Sequence, residues 1–472
     1  MTRAAIKKPD FTSGPLFSKM ILFTVPLIAT GILQLLFNTM DTIVVGRWGG
    51  DTPEACETAL AAVGSCGSII NLIVGLFIGL STGAGVCMAQ EIGAGHEKKV
   101  KKVVHTSVPV ALIAGVFVTV VGIVFARTFL RMMNTPENIL DEAVPYMWAY
   151  FCGMPANMLY NYCAAMMRSS GDTARPLVFL SVAGVANIAL NLVMVLVFHL
   201  GALGVGIATA ASHWISCILI VRFMMQSDGY CHLSLKELGI DKDILKKILT
   251  IGIPAGIQGS LFSLSNVVIQ SSVNSLGDVV IAGNTAAANI GSYIYIAQNS
   301  LYHTSMTFVG QNVGAKSPAR VRKSILYCCL LVTLVGWCVG GIVLLLGNPL
   351  LRIFAPDNDA VVKAGMVRLT ILASTYFLCG LMDVASGVLR GFGRSLSPML
   401  ISLTGSCLLR IVWIATVFRA MPEQWIIYLS YPISWLITAL ALFLVVTLTV
   451  VRFSIQIKRE QQPVKLFLEE ND

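Results

Sequence analysis

Apolar residues gather in twelve long runs, each of about 20 residues or more, parted by short polar breaks. That length crosses a hydrocarbon core of about 30 Å as a helix. The runs fall within 17–44, 58–85, 103–126, 143–166, 176–198, 203–225, 250–274, 281–310, 325–347, 364–388, 396–418 and 425–450. The pattern predicts an all-α integral membrane protein with twelve transmembrane helices, six in each half. Little else remains: a linker at 226–247, a loop at 348–362 and a short tail from Lys458.

Composition agrees. Of the 472 residues 56% are hydrophobic and 12% charged, about half the charged share of a soluble domain. The net charge of +9 comes from basic residues in short loops, not from a continuous face, so no nucleic-acid partner is expected. With the N-terminus inside, about 25 of the 33 lysines and arginines fall in cytoplasmic segments, and both termini are predicted to be cytoplasmic. The twelve cysteines are scattered and form no CxxC, which fits small apolar packing residues better than a metal cage. Met1 to Ser18 is polar and basic without a cleavable-signal pattern, so the first apolar run is expected to stay in the membrane.

The chain also repeats itself. Gln90-Glu91-Ile92-Gly93-Ala94, followed by Lys98, Lys99, Lys101 and Lys102, returns as Gln311-Asn312-Val313-Gly314-Ala315, followed by Lys316, Arg320, Arg322 and Lys323. Arg168, Gly171 and Pro176 match Arg390, Gly393 and Pro398 at one constant offset, and Pro26 and Gly49 match Pro254 and Gly277 at a slightly different one. Six helices per half bring both halves in from the same side, so the predicted repeat axis lies along the membrane normal. The expected organisation is an N-terminal lobe 1–225, a cytoplasmic linker 226–247, a C-terminal lobe 248–457 and a cytoplasmic tail 458–472. The two pseudo-symmetric lobes would flank a cleft.

Ionisable groups inside a bilayer are costly, about 2.5–3.5 kcal/mol each on insertion scales, so each needs a reason. Asp41, in the first span, could bind a proton or a cation, or could reach the headgroups from the outer end. Asn187 and Asn191 in the fifth span share one helical face and, with Thr209 in the sixth, could complete an oxygen-lined site around Asp41; they could equally be interhelical hydrogen-bond partners. Asn38, Asn157, Asn161, Gln258 and Asp383 are candidate substrate-cavity residues. Asp383 has Asn161 as its repeat counterpart, and either a structural pairing with Arg410 or a cavity role fits it. His213 reads as a hydrogen-bonded packing residue. Gly153, Pro155, Gly252, Pro254, Gly256 and Gly380 interrupt helical runs and are candidate bending points or close-packing sites.

The sequence has no GxxxxGK[ST] loop and no polar stretch large enough for a nucleotide-binding domain, so ATP is not the expected direct energy source. No convincing HExxH, GxSxG or paired-carboxylate motif is present, and the chain does not read as an enzyme. An ion gradient is the remaining source of energy.

These residues resemble the multidrug and toxic compound extrusion (MATE) family of cation-coupled antiporters. The likeness is carried by Asp41-Thr42-Ile43-Val44-Val45-Gly46-Arg47-Trp48-Gly49, by Gln90-Glu91-Ile92-Gly93-Ala94, and by the paired exits Met167-Arg168-Ser169-Ser170-Gly171-Asp172-Thr173 and Leu389-Arg390-Gly391-Phe392-Gly393. It spans about 15 to 450. One branch of the family holds its ion in the N-terminal lobe with an acid on the first span, an Asn and an Asp one turn apart on the fifth and a Thr on the sixth. Asp41, Asn187 and Thr209 match those positions, while Asn191 stands where the branch has Asp, removing one negative charge. The other branch places an acid on the seventh span, where this chain has Phe262.

The resemblance implies a bacterial inner-membrane antiporter that exports organic, amphipathic, cationic compounds in exchange for H+ or Na+ by alternating access. No cofactor is expected; if the ion is Na+, Asp41 and Asn187 are the expected ligands. The expected partners are membrane lipid and a small-molecule substrate, and the expected state is a monomer. A lipid-linked oligosaccharide flippase of related fold is the alternative, set against by twelve spans where those tend to have fourteen and by few intramembrane basic residues.

Overall fold

The computed structural model describes residues 11–50, 52–133, 135–356 and 358–469, with side chains as far as Glu460. All regular structure among them is helical. The predicted cytoplasmic ends fall partly outside these residues, at 1–10 and 470–472.

The helices are α1 (Leu16–Trp48), α2 (Pro53–Gly93), α3 (Glu97–Met132), α4 (Glu137–Cys152), α5 (Met154–Ser169), α6 (Ala174–Leu192), α7 (Gly201–Gln226), α8 (Lys242–Asn274), α9 (Asp278–Gly314), α10 (Pro318–Leu345), α11 (Gly347–Phe354), α12 (Asp359–Gly391), α13 (Leu396–Ser402), α14 (Leu409–Trp413) and α15 (Gln424–Glu469). Wider π-helical turns follow α6 at Val193–Val197 and flank α14 at Leu403–Leu408 and Ile414–Phe418.

Among the described residues eleven helical spans are long and apolar enough to cross a membrane, with α6 joined to its π-helical turn and α13 and α14 joined through theirs as Leu396–Phe418, where the sequence pattern predicts twelve. The difference is the run at 143–166, which is covered by α4 and α5, each of 16 residues and so too short to span alone. The chain breaks at Gly153, because Pro155 has no N–H to continue the ladder. The freed backbone acceptors find other partners: Thr119 Oγ1 donates to Phe151 O at 2.8 Å and Trp214 Nε1 to Cys152 O at 3.4 Å. By contrast α8 runs through Gly252, Pro254 and Gly256 without a break, and α12 through Gly380. Those glycines serve close packing instead: a Cβ on Gly256 would lie 2.0 Å from Leu76 O.

Two further expectations change. Most of the loop at 348–362 is helical, in α11 and the start of α12, and the tail from Lys458 continues as helix to Glu469. The linker packs on α3. Lys101 pairs with Glu237 and Lys102 with Asp241, both on α3, and Ser234 N donates to His105 Nε2 at 3.1 Å.

The chain divides into two compact units. The first holds 25–88 and 96–260, with a core of large side chains such as Tyr146, Met147, Phe151, Met154 and Met158. The second holds 11–24, 89–95 and 261–469. The short N-terminal piece belongs there because Phe11 stacks on Phe308 at 4.1 Å, Arg320 donates to the carbonyls of Phe11 and Ser13, and the Thr24 and Thr304 hydroxyls meet at 2.8 Å.

The repeated motifs acquire physical reasons. Gly171 and Gly393 take positive φ (+94° and +79°), and each is followed by the same bond back across the helix end, Asp172 N to Met167 O and Arg394 N to Leu389 O, both 2.9 Å. Inside the second unit the two Gln-x-x-Gly motifs cross each other reciprocally. A Cβ on Gly93 would sit 1.9 Å from Gln311 O, and one on Gly314 would sit 2.0 Å from Gln90 O. Only glycine admits that approach.

Candidate ion site and intramembrane polar clusters

The first unit assembles Asp41, Asn187, Asn191 and Thr209. Asp41 lies near the end of α1, half-buried. Asn187 and Asn191, one turn apart on α6, are both buried and present their amides on one face. Asn191 Nδ2 donates to Asp41 Oδ1 at 2.5 Å and lies 3.3 Å from Asn187 Oδ1. Thr209 on α7 stands beside the carboxylate without forming a well-aligned hydrogen bond. Three buried polar atoms around the carboxylate have no hydrogen-bond partner: Asn187 Nδ2, Asn191 Oδ1 and Thr209 Oγ1. Unpaired groups of this kind are rare and costly in a native interior; the two oxygens, Asn191 Oδ1 and Thr209 Oγ1, leave the cluster with unused acceptors for a proton or a small cation. The chemistry is one carboxylate among neutral amide and hydroxyl groups. No group of three His, Cys, Asp or Glu able to hold a metal occurs among the described residues.

Two of the candidate cavity residues of the first unit, Asn157 and Asn161, bond to each other. Asn161 Nδ2 donates to Asn157 Oδ1 at 3.0 Å and to the Asn157 carbonyl at 2.9 Å, and Asn157 Nδ2 lies 3.3 Å from the His213 ring nitrogens. His213 is thus a hydrogen-bonded member of a second polar group in the first unit, with Tyr150 edge-on to its ring at 6.0 Å. Asn38 is exposed on α1, three residues before Asp41, and Gln258 is buried on α8.

Asp383 belongs to the second unit, on α12, and its Oδ2 has no hydrogen-bond partner. No ion pair joins it to Arg410 among the described residues. Arg410 Nε donates instead to Ser434 Oγ at 2.8 Å, and its guanidinium lies over the Tyr431 ring at 4.2 Å and near Trp435 at 5.6 Å. That aromatic seat was not visible in the sequence, where Tyr431 and Trp435 read only as span residues.

The MatE family profile matches residues 26–193 and 254–416, one stretch in each half, opening on Pro26 and Pro254. The chain belongs to the MatE family. This MATE transporter is 29% identical over 394 residues to a Bacillus subtilis protein named Probable multidrug resistance protein YoeA, covering 81% of this chain and 83% of that one. It is 26% identical over 439 residues to another Bacillus subtilis protein, named Probable multidrug resistance protein YpnP, covering 93% and 96%. Its fold matches a crystal structure of MATE in the bent conformation with a TM-score of 0.88 at 18% identity, over 96% of this chain and 100% of that one. MATE proteins are transporters, and the chain is accordingly a multi-pass membrane transporter and not an enzyme.

Proposed function

We propose that this MATE protein is a secondary antiporter of a bacterial cytoplasmic membrane, exporting organic, amphipathic, cationic compounds in exchange for a cation by alternating access. Counting α4 and α5 as one broken span gives twelve crossings, and the excess of Lys and Arg in the loops on the side of the termini favours cytoplasmic termini. The names of the two Bacillus relatives support drug-like cargo, and their source supports a bacterial membrane. We take the protein to work as a monomer.

The observation that carries the reading is Asp41, an intramembrane carboxylate held by Asn191 beside Asn187 and Thr209. The amide of Asn191 suits either state of the acid. Its N–H donates to the carboxylate, and its unpartnered Oδ1 is the acceptor a protonated acid would need. With a single negative charge and an amide donor already on it, the site favours H+ over Na+ as the coupling ion. Ion binding must stabilise one conformation over the other for coupling to arise.

The test uses purified protein in liposomes loaded with a cationic dye such as ethidium. An imposed pH gradient is expected to drive dye movement that a sodium gradient of equal size does not. Sodium-driven movement alone would reverse the choice of ion, and indifference to both gradients would refute antiport.

A further inference from the structure

The second unit carries a buried cation that the proposed coupling does not use. Arg410 is 4% exposed and stands within about 5 Å of the middle of the span Leu396–Phe418, at a rise of 1.5 Å per residue. Its Nε is satisfied by the neutral hydroxyl of Ser434, while its Nη2 is buried with no hydrogen-bond partner. Two rings face it, Tyr431 and Trp435, and Tyr376 packs on Trp435 at 5.3 Å. Tyr376 and Tyr431 are only half-buried, so the aromatic wall reaches the surface of the unit. No carboxylate pairs with the guanidinium among the described residues, and the Oδ2 of Asp383 is itself unpartnered. Wide π-helical turns on both sides of α14, a feature frequent at functional sites, set this short stretch apart from a regular span.

A guanidinium kept in a membrane interior without a counter-charge is a standing cost that ring faces only partly offset. Its free donor fits a planar oxyanion, which an arginine fork grips through parallel hydrogen bonds. Lipid headgroups lie about 15 Å from the bilayer centre and do not reach it. The repeat sharpens the point. The offset that carries Arg168 onto Arg390 carries Ile188, the neighbour of Asn187, onto Arg410. The duplication therefore leaves a cation at this position in the second unit alone.

We infer that Arg410, seated on Tyr431 and Trp435, is a recognition site for the carboxylate of an aromatic, amphipathic substrate. The preferred cargo of this transporter is then zwitterionic, with a carboxylate in addition to its positive group, while purely cationic compounds bind less tightly. This rests on the reading of the protein as an exporter of organic compounds and specifies its substrate class.

Rhodamine 110 and its methyl ester, rhodamine 123, share one cationic ring system and differ in whether the carboxyl is free. Their binding to the purified full-length protein in detergent is read by fluorescence polarisation, with no ion gradient. Wild-type protein is expected to bind rhodamine 110 about tenfold more tightly, the scale of a charge-assisted pair. Arg410→Met is expected to remove that preference and leave rhodamine 123 binding in place, with Arg410→Lys between the two. Should Arg410→Met fail to fold, the wild-type preference and its weakening in Ser434→Ala decide. Equal binding of the two dyes by wild-type protein overturns the inference, as does an equal loss of both in Arg410→Met. Carboxylate preference without gradient-driven efflux supports the site and refutes export, whereas efflux without preference overturns the site alone.

Discussion

Replacing Asn191 by Asp tests why the ion site carries one charge. In the native protein the Asn191 amide nitrogen lies 2.5 Å from Asp41 Oδ1 and donates to it. Asn191→Asp puts a second carboxylate oxygen at that place. Two full charges about 3 Å apart repel by about 5 kcal/mol at an effective dielectric constant near 20, which replaces an attractive contact with a repulsive one. A cation between them removes the penalty, and Asn187 Oδ1 and Thr209 Oγ1 stand ready as further ligands. The variant is therefore expected to gain sodium binding that the wild type lacks. By linkage, sodium at 100 times its Kd stabilises the folded state by about 2.7 kcal/mol, a rise of a few degrees in melting temperature. The assay is thermal unfolding of purified protein in NaCl against choline chloride at equal ionic strength. Sodium-specific stabilisation of the wild type, or none in Asn191→Asp, would refute the reasoning.

The remaining predictions are structural. Gly93→Ala and Gly314→Ala each force a methyl to within about 2 Å of a carbonyl oxygen and are expected to destabilise by about 1–3 kcal/mol, while Gly67→Ala, which meets nothing within 4 Å, is neutral in the same melting assay. The Lys101 and Lys102 ammonium groups hold the Glu237 and Asp241 carboxyls below their ordinary values of 4.5 and 3.8. Linker docking on α3 is then fully present above those values and lost as pH falls through the lower folded ones, seen as faster hydrogen exchange at Ser234, Gly239 and Asp241 below about pH 4. Burial pushes the Cys231 thiol up to about 12, so it is expected to resist maleimide at pH 8 until the protein is unfolded.

Periodicity and length were enough to mark the spans, because a bilayer demands long apolar helices whatever surrounds them. The glycine turns at Gly171 and Gly393 were legible as a repeat for the same kind of reason: a local φ that few residues adopt. Their bonding waited for coordinates. Pro155 marks the break at Gly153 in the sequence, whereas the partner of the carbonyl it frees, Thr119 on Phe151 O, has no sequence signal. The crossing of Gly93 and Gly314 over Gln311 and Gln90 joins residues far apart in the chain, which no local pattern reports. At the candidate ion site, the spacing of Asn187 and Asn191 predicted a shared face. Their contact with Asp41 rests on how α1 and α6 pack. Nothing in the sequence tied Arg410 to Tyr431 and Trp435, since every residue near them reads as an ordinary span.

The central claim is that Asp41 couples the ion to the cargo. Its most direct test is Asp41→Asn, which keeps the shape of the side chain and removes its charge, assayed in liposomes under an imposed pH gradient alongside dye binding in detergent. The account predicts that dye binding persists while gradient-driven movement falls to the level of empty liposomes. Movement at the wild-type rate would contradict it.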